Sequence, residues 1–237
     1  MPTESNEALR LALLGHGKMG TLLEQLAPAR GFEVRLVLDE ISNRAGAGLV
    51  RGRFQDVDVC IDFTTPDSVL DNIRRVAELG VNLVVGTTGW TQHLNEVRAI
   101  VGRAGIGLVY APNFSIGAQL FFRAAEQVSR AFAGFPTYEP YITETHHRFK
   151  KDAPSGTALE LKRRVQPALG DREIAIGSIR AGYVPGIHEL GFDSEADSVI
   201  LRHTARGRQG FAEGALYAAR WVIGKKGLFA FADLFTG

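Results

Sequence analysis

Short apolar runs alternate with amphipathic stretches along the first 113 residues of the chain. The runs are almost continuously apolar, as strands covered by helices on both faces should be: LRLALLG, VRLVLD, VDVCIDFT, VNLVVGTT and GLVYAPN. Residues 18–29, 67–79 and 91–103 between them have the spacing of amphipathic helices. The alternation predicts an α/β domain in which five parallel strands and their crossover helices form a doubly wound sheet.

The pattern changes after Asn113. A long helical pattern covers residues 116–132, and alternating, strand-like segments follow, with one helix that starts near Ser155: TYEPYITETHH, EIAIGSIRAG, GIHELGF and DSVILRHTA. We expect a second, α+β domain over residues 115–208, whose mixed and largely open sheet can pair with other subunits. A last helix over 211–223 and the apolar tail GLFAFADLF should return to the first domain, which then comprises 1–114 and 209–237.

Composition narrows the class of protein. The chain has 27 basic and 26 acidic side chains, so no overall charge favours nucleic acid or anionic lipid. No apolar run reaches the ~18 residues of a membrane span, and the polar start PTESNEA lacks the core of a signal peptide, which predicts a frayed N-terminus and a cytoplasmic location. The single cysteine, Cys60, lies in an apolar run, so we expect a buried, non-catalytic thiol in a reducing compartment.

A glycine-rich loop follows the first predicted strand. Gly15, Gly17 and Gly20 match G-x-G-x-x-G between a strand and a helix, and Asp39 ends the next strand nineteen residues later. Together they predict a Rossmann-type dinucleotide site; the alternative is a simple turn with a capped strand. The predicted contacts in this part are Gly15, His16, Gly17, Lys18, Met19, Gly20 and Asp39.

The acid after the second strand also bears on the cofactor. Asp39 is followed by Glu40, and two acids would repel the 2′-phosphate of NADPH, so NADH is the preferred cofactor. His16, Lys18 and Arg44 can still supply positive charge, and NADPH therefore stays open.

Three further loops follow strands of the same predicted sheet. Ligands of such sheets bind beyond the carboxyl ends of the strands, which points to the loops Phe63–Thr65, Gly86–Gly89 and Ala111–Ser115. The alternative is ordinary turns, with Thr91 and Ser115 as helix caps. The predicted cofactor contacts here are Phe63, Thr64, Gly86, Thr87, Thr88, Ala111, Pro112, Asn113 and Phe114.

A basic segment precedes the helix of the second domain. Five cationic or titratable groups crowd into six residues: His146, His147, Arg148, Lys150 and Lys151. Ser155, Gly156 and Thr157 then stand at the start of a helix, where free N–H groups favour an anion, and paired donor sets would suit a dicarboxylate. A histidine here can donate a proton near neutral pH. The alternative is a solvated run of charge.

A metal is not expected at this segment. Neighbouring residues on a strand point to opposite faces, so His146 and His147 would diverge, and no other His or Cys set has ligand spacing.

Seven segments together resemble the dihydrodipicolinate (4-hydroxy-tetrahydrodipicolinate) reductase family of the bacterial diaminopimelate and lysine pathway. They are the glycine loop, FTTPDSVLDN, VVGTTGW, APNFSIG, ETHHRFKKDAPSGTA, SIRAGYVPGIHE and RQGFAEGAL. The resemblance implies NAD(P)H-dependent reduction of 4-hydroxy-tetrahydrodipicolinate to tetrahydrodipicolinate by a homotetramer built through the sheet of the second domain.

The same resemblance implies roles for single residues. His146 is similar to the proton donor of the family, and Lys150 is similar to its catalytic partner, which also holds a substrate carboxylate. His147, Gly156 and Thr157 match substrate-binding positions. Gly86, Thr88 and Asn113 match contacts near the nicotinamide, and Arg208 matches a hinge arginine that reaches the cofactor.

Two departures from the family pattern stand out. The chain is shorter between Asp39 and Asp56 than in many relatives, and Phe149 stands where relatives often have histidine. Both bear on cofactor choice and rate. Two competing functions remain at this stage: an aspartate- or homoserine-type dehydrogenase, which would leave DAPSGT unexplained, and a regulator that binds NADH without turnover.

Overall fold

The computed structural model describes residues 7–235, so the frayed N-terminus predicted for the first residues lies outside the described part. The chain forms two compact units. Unit 1 contains the chain up to Ser115 and again from Arg208, and unit 2 is Ile116–Gly207. These divisions fall one residue from the predicted boundaries.

Unit 1 is built on six parallel strands. They lie in the spatial order β10-β5-β4-β3-β1-β2 and are β1 Leu9–Leu14, β2 Phe32–Leu38, β3 Val59–Asp62, β4 Asn82–Val85, β5 Gly107–Tyr110 and β10 Gly227–Ala230. The expectation of five strands was one too few. The tail that was expected only to pack on the domain pairs with β5 instead, because that edge strand offers backbone groups that need partners.

Helices cover both faces of this sheet. They are α1 Lys18–Leu26, α2 Arg51–Phe54, α3 Pro66–Glu78, α4 Leu94–Ala104 and α7 Gln209–Trp221. The helices α3 and α4 share a hydrophobic core with one sheet face, while α1 and α7 contact each other and α7 contacts β3 and β4 from the other. The doubly wound α/β fold is confirmed.

Helix starts in unit 1 follow local chemistry. Thr65 and Ser68 form a capping box at α3, and Pro66 occupies the first turn, where its missing N–H is harmless. Thr91 is not a helix cap: Thr91–His93 form a 3₁₀ turn, and α4 starts at Leu94, three residues later than predicted.

Unit 2 has a four-stranded mixed sheet, as predicted. Its strands lie in the order β7-β6-β8-β9 and are β6 Glu139–His146, β7 Ala175–Arg180, β8 Ile187–Asp193 and β9 Ser198–Thr204. The pair β6 and β7 is parallel and the other two pairs are antiparallel. The helices α5 Ile116–Phe132 and α6 Gly156–Leu169 pack on one face through a core that includes Ile142, Leu190 and Phe192.

The opposite face of this sheet is much more open. Ile179 on β7 and Ile200 on β9 are more than half exposed there, at 54% and 52%. The Tyr141 ring lies against Gly191, where a side chain would clash with it. The sheet therefore has one covered face and one face with exposed apolar side chains.

The structure bears on two expectations from composition, which concern the cysteine and membrane-spanning helices. Cys60 is fully buried on β3, and burial raises the pKa of its thiol, as expected of a packing residue. No helix among residues 7–235 is long and apolar enough to cross a membrane.

Candidate active site

The glycine loop of unit 1 connects β1 to α1. Gly15 has φ +88, and a Cβ there would lie 2.2 Å from the Phe63 carbonyl oxygen. A Cβ on Gly20 would lie 2.0 Å from the Gly15 carbonyl oxygen, so this glycine lets the helix pack on the strand. Gly17 is different, because it is exposed and its added Cβ would meet nothing within 4 Å.

No neighbour within 4 Å therefore requires a glycine at position 17, and the open space leaves room for a ligand. Lys18 begins α1 and is exposed beside it, and Met19 is half-buried. His16 is paired with Glu24 at 2.8 Å. The open helix start fits the close approach of a pyrophosphate.

Asp39 follows β2 and is exposed. Its Oδ1 accepts hydrogen bonds from the Ser42 hydroxyl and from the backbone N–H groups of Ser42 and Ile41. These bonds lower the pKa of Asp39, and the bonds from Ser42 have the largest effect. The side chain is thus an exposed, ionised carboxylate at the carboxyl end of its strand.

Asp62 ties together the loops after β3 and β4. It is fully buried, and its Oδ1 accepts from the Thr64 N–H at 2.9 Å, the Thr64 hydroxyl at 2.8 Å and the Thr87 hydroxyl at 2.7 Å. Its Oδ2 accepts from Asn72 at 2.9 Å. Burial raises the pKa of Asp62 in spite of these bonds. The sequence interpretation missed this residue, although an acid at the end of an apolar strand could have signalled it.

The loops that Asp62 joins contain several predicted cofactor contacts. Gly86 lies so close to the Phe63 ring that a Cβ would be 2.1 Å from it, and Thr88 is exposed. Phe114 is 2% exposed and packs against Phe63 and Phe231, so it supports this loop from within the core.

The remaining predicted cofactor residues lie at the end of β5 and before α7. Asn113 accepts a hydrogen bond from the Ser115 N–H through Oδ1. Ala111 is buried, and Pro112 is exposed beside it. Arg208 occupies the residue before α7 and is exposed. The structure thus brings Gly15, Phe63, Thr64, Gly86 and Thr87 together, while Asp39 follows β2 and Arg208 precedes α7.

Unit 2 gathers polar side chains on the helix-covered face of its sheet. Glu144 and His146 alternate on β6 and therefore point to the same side. The register places Ser178 and Arg180 of β7 beside them, and His188 of β8 opposite Glu144. The sequence interpretation missed all but His146. Ser178, Arg180 and His188 join the set only when three strands pair, whereas Glu144 lies two residues before His146 on the same strand.

Glu144 is the centre of this cluster and is 1% exposed. Its Oε1 accepts from the Ser155 N–H at 3.0 Å, the Ser178 hydroxyl at 2.7 Å and the Arg180 guanidinium at 2.7 Å. Burial alone would raise the pKa of Glu144, but these donors lower it to about 2. The carboxylate is therefore ionised throughout the neutral range.

His146 lies against the other oxygen of this carboxylate. Its Nδ1 is 2.7 Å from Glu144 Oε2, a close contact whose geometry falls short of a well-aligned hydrogen bond. Burial, Lys150 and Arg180 lower the pKa of His146, and Glu144 opposes them. A Cβ on Gly186 would lie 3.1 Å from Nε2, which places that glycine beside the second ring nitrogen.

The segment DAPSGT leads into α6. Ser155 caps the helix by accepting from the Ala158 N–H at 3.2 Å, and its hydroxyl also lies 3.1 Å from His188 Nε2. Ser155 is 1% exposed, so its polar groups already have partners within the unit. Gly156 is exposed, with nothing within 4 Å of an added Cβ, and Thr157 is half-buried.

Two further predicted residues lie between β6 and this helix. Lys150 is paired with Asp152 at 2.8 Å, and its side chain is 25% exposed. His147 is half-buried, and its ring lies 6.2 Å from that of Phe149. Phe149 is 64% exposed and packs with Arg148, whose guanidinium lies 5.0 Å from the ring centre.

The expectation of no metal rested on missing ligand spacing, and the tertiary structure supplies a candidate set that spacing could not reveal. Ligand atoms of Glu144, His146 and His188 lie within 4.8 Å of one another. However, the Arg180 guanidinium lies 2.7 Å from Glu144 and would repel a cation at this position. The set is better described as a carboxylate paired with an arginine than as a cation site.

Both units match known proteins. Family models described as dihydrodipicolinate reductase, N-terminus and C-terminus, match residues 9–114 and 117–235. A 4-hydroxy-tetrahydrodipicolinate reductase of Christiangramia forsetii is 32% identical over 240 residues, covering 96% of this chain and 98% of the relative. One from Ralstonia pickettii is 35% identical over 263 residues, covering 95% and 99%.

A solved structure supports the same assignment. Dipicolinate-bound dihydrodipicolinate reductase from Paenisporosarcina sp. TG-14 superposes with a TM-score of 0.81 at 26% identity, covering 96% of this chain and 100% of that one. The resemblance inferred from the seven sequence segments is confirmed, and the aspartate- or homoserine-type alternative is set aside. The chain belongs to the dihydrodipicolinate reductase family.

Proposed function

We propose that the chain reduces 4-hydroxy-tetrahydrodipicolinate to tetrahydrodipicolinate with a pyridine nucleotide, in the pathway to diaminopimelate and lysine. The family match over both units supports the reaction class. The observation that carries the chemistry is the buried His146, held against an ionised carboxylate at the start of the basic segment.

The reaction needs a hydride, a proton and the loss of water from the ring. A bound reduced nicotinamide supplies the hydride to the substrate ring, after or together with loss of its 4-hydroxyl as water. His146 then gives a proton to the carbanion-like centre that hydride addition creates. Lys150 balances the negative charge that develops there and holds a substrate carboxylate.

A dicarboxylate suits the groups that surround this acid. The start of α6 presents backbone N–H groups at Gly156 and Thr157, and Lys150 adds a positive charge. His147 completes the proposed contacts. Ser155 contributes through the shape of the helix start, since its own polar groups are engaged. The related structure that holds dipicolinate, itself a dicarboxylate, supports this substrate class.

Turnover by variants tests the catalytic assignment. We expect His146→Gln and Lys150→Ala each to lower kcat by about 10²- to 10⁴-fold, the usual contribution of a general acid, because protonation loses its donor or its charge balance. The measurement is substrate-dependent loss of nicotinamide absorbance with freshly generated substrate.

Neighbouring residues provide matched controls. Lys151→Ala and His93→Gln remove the same side-chain types at an exposed and a half-buried position outside the proposed substrate contacts, and both should leave turnover unchanged. Near-wild-type rates in both catalytic variants would contradict the assignment. Cofactor binding without any substrate-dependent oxidation in the wild type would favour the non-catalytic regulator.

NADH is the proposed cofactor. The exposed, ionised Asp39 can accept hydrogen bonds from ribose hydroxyls and repels a 2′-phosphate, and Glu40 beside it adds to this repulsion. We expect kcat/KM to be higher with NADH than with NADPH. We also expect Gly17→Ala to raise the KM for NADH by about tenfold or more without changing the melting temperature, because only a ligand fills the space at that position.

The proposed assembly is a homotetramer formed through the sheet of unit 2. The exposed side chains of Ile179 and Ile200 on the open sheet face support it, since such apolar groups are typical of subunit interfaces. Light scattering after size-exclusion chromatography measures the mass directly, and Ile200→Asp should lower it. A cytoplasmic location belongs to the same proposal and is supported by the unpaired, buried Cys60.

A further inference from the structure

The carboxylate of Glu144 has two oxygen atoms with different environments. Oε1 accepts from three donors, which come from the start of α6 and from two positions of β7. Oε2 faces His146 Nδ1 at 2.7 Å and lies 3.9 Å from His188 Nε2. Three bonds to one oxygen fix the plane of the carboxylate, so the direction of the other oxygen is fixed as well.

This arrangement determines which nitrogen of His146 can exchange a proton with a substrate. A carboxylate oxygen beside Nδ1 favours a proton on that nitrogen, since carboxylates accept and do not donate. Nε2 is then the nitrogen that gains and loses the transferred proton. Gly186 lies next to it, and any larger residue there would lie about 3 Å from the ring.

We infer that Glu144 is a positioning residue for proton transfer: its Oε2 lies beside Nδ1 of His146 and favours the proton on that nitrogen, while Arg180, Ser178 and the Ser155 backbone hold Glu144 in place. This inference rests on the proposed function, because it assigns a role within that reaction. Glu144 acts through His146 and does not contact the substrate.

The charges around the ring explain why such a residue is needed. Arg180 from β7 and Lys150 from the loop after β6 both face His146, and both oppose its protonation. His188 from β8 adds a ring whose centre is 5.0 Å away, and His203 of β9 lies beyond it, opposite His188 in the sheet. Glu144 supplies the negative charge that keeps a buried imidazolium accessible in these surroundings.

His188 does not fit the role of acid equally well. Its Nε2 lies 3.1 Å from the Ser155 hydroxyl, and the residue is 4% exposed. Burial, with His146 as a further cause, lowers the pKa of His188 to about 4. It is therefore a neutral partner within the cluster.

The first experiment uses the wild-type protein and requires no turnover. Nitrogen-15 NMR of labelled histidines, with His146 assigned by comparison with His146→Gln, reports which ring nitrogen holds the proton. We expect the neutral His146 ring to have its proton on Nδ1. A neutral ring protonated on Nε2 would overturn the inference, whether or not the proposed reaction is observed.

The second experiment compares Glu144→Gln with Glu126→Gln. Glu126 is also paired with an arginine of unit 2, Arg164 at 3.2 Å, but belongs to α5. Because proton donation requires a protonated His146, kcat falls as the pH rises through the pKa of that residue. Loss of the Glu144 charge lowers this pKa, so the decline should move to lower pH by about one unit or more, and kcat at pH 8 should fall at least about tenfold.

The outcomes separate this inference from the proposed function. A Glu144→Gln protein that is less active at every pH, with its decline at the wild-type pH, would show a purely structural role and overturn the inference. NMR titration of His146 in the same variant measures its pKa directly. This pKa should fall together with the pH at which kcat declines. A wild type that lacks substrate-dependent oxidation would count against the proposed function, while the NMR result still decides the role of Glu144.

Discussion

Asp62 in unit 1 and Glu144 in unit 2 are both buried carboxylates on strands, yet their pKa values move in opposite directions. Asp62 accepts four hydrogen bonds from neutral groups, and burial still raises its pKa. Glu144 accepts from Ser155, from the Arg180 guanidinium and from Ser178, and these donors outweigh burial, so its pKa falls to about 2. The comparison teaches that the direction of the shift depends on the balance of burial and donors: burial prevails at Asp62, and the donors, one of them cationic, prevail at Glu144.

The two carboxylates consequently suit different tasks. Asp62 joins the loops after β3 and β4 through Thr64 and Thr87, and this requires hydrogen bonds but no strong field. Glu144 faces a histidine, where a permanent negative charge changes the chemistry of the neighbour. Unit 1 therefore uses a buried acid to hold loops in place, and unit 2 uses one for electrostatics.

Removing the arginine is expected to have the largest effect, because it makes Glu144 resemble Asp62. Arg180→Ala leaves a buried carboxylate without its cation and should destabilise the protein by about 3 kcal/mol at pH 7. The loss should shrink in acid, where protonation neutralises Glu144. Urea unfolding followed by far-UV circular dichroism at pH 7 and pH 4.5 measures both values.

Arg202→Ala is the control for this variant. Arg202 is 55% exposed and pairs with Glu189 at 3.3 Å, so its loss should change stability by less than about 1 kcal/mol. An equal loss for both arginines, independent of pH, would show that the guanidinium on Glu144 has no special role.

Low pH should reduce the stability of unit 2, because protonation of His188 favours the unfolded chain. The pKa of this residue is about 4 in the folded protein against its ordinary value of 6.5, so the unfolded chain binds more protons between these values. Its stabilising contribution of about 3 kcal/mol is complete above pH 6.5 and is lost as the pH falls towards 4. Glu144 adds a further loss of stability below pH 4.5, the ordinary pKa of a glutamate, because its own pKa is lowered in the folded protein.

The shifted pKa of Asp62 changes stability with pH in the opposite direction. A carboxyl group whose pKa is raised on folding favours the folded state in acid, and this contribution is lost as the pH rises. Both tryptophans, Trp90 and Trp221, belong to unit 1, so their fluorescence reports that unit. We expect the unfolding transition seen by circular dichroism to depend more on pH between 7 and 5 than the fluorescence transition. Equal dependence, unchanged in His188→Gln, would contradict this prediction.

Asp62→Asn should have a smaller effect, confined to unit 1. The new amide keeps one oxygen for Thr64 and Thr87 but places an NH₂ group against the Asn72 donor. Asn72 cannot turn over freely, because its Oδ1 accepts from Asn43 at 3.2 Å. We expect a loss of about 1–3 kcal/mol in urea unfolding followed by tryptophan fluorescence. Asp56→Asn, at an exposed position, should leave the transition where it is.

Phe149→His should change least. The ring is 64% exposed and contributes stacking with Arg148 and Tyr183 outside the Glu144 cluster. The loss of such exposed contacts is worth about 0.5–1 kcal/mol, so we expect turnover within about fivefold of the wild type and a similar pH profile. A displaced pH profile in this variant would mean that residue 149 affects the pKa of His146. It would contradict the placement of Phe149 outside the Glu144 cluster.

Local sequence determined most elements of the fold. Apolar alternation predicted β1 to β5, the four strands of unit 2 and the long helix α5, because these patterns reflect burial on one or both faces. Boundaries were less accurate where local chemistry changes, as at α4, which begins after a 3₁₀ turn. The strand β10 was missed because its four residues pair with β5, more than a hundred positions earlier in the chain.

In the candidate site too, some residues could be predicted from local sequence and others could not. The glycine loop and the segment HHRFKKDAPSGT could be read from the sequence, because each is a continuous stretch with its own chemistry. Glu144 was within reach as well, two residues before His146 on a strand. Arg180 and His188 were not, since nothing local connects them with position 144.

By itself, then, the sequence determined the family, the order of the elements and the residues proposed to hold cofactor and substrate. Only the tertiary structure decided the electrostatics of the buried acids. Pairing of β7 and β8 with β6 brings the cation and the second histidine to Glu144, whereas Asp62 receives only neutral donors. The physical reason is that a pKa depends on burial and on charges within a few ångströms, and these are set by strand register and not by neighbours along the chain.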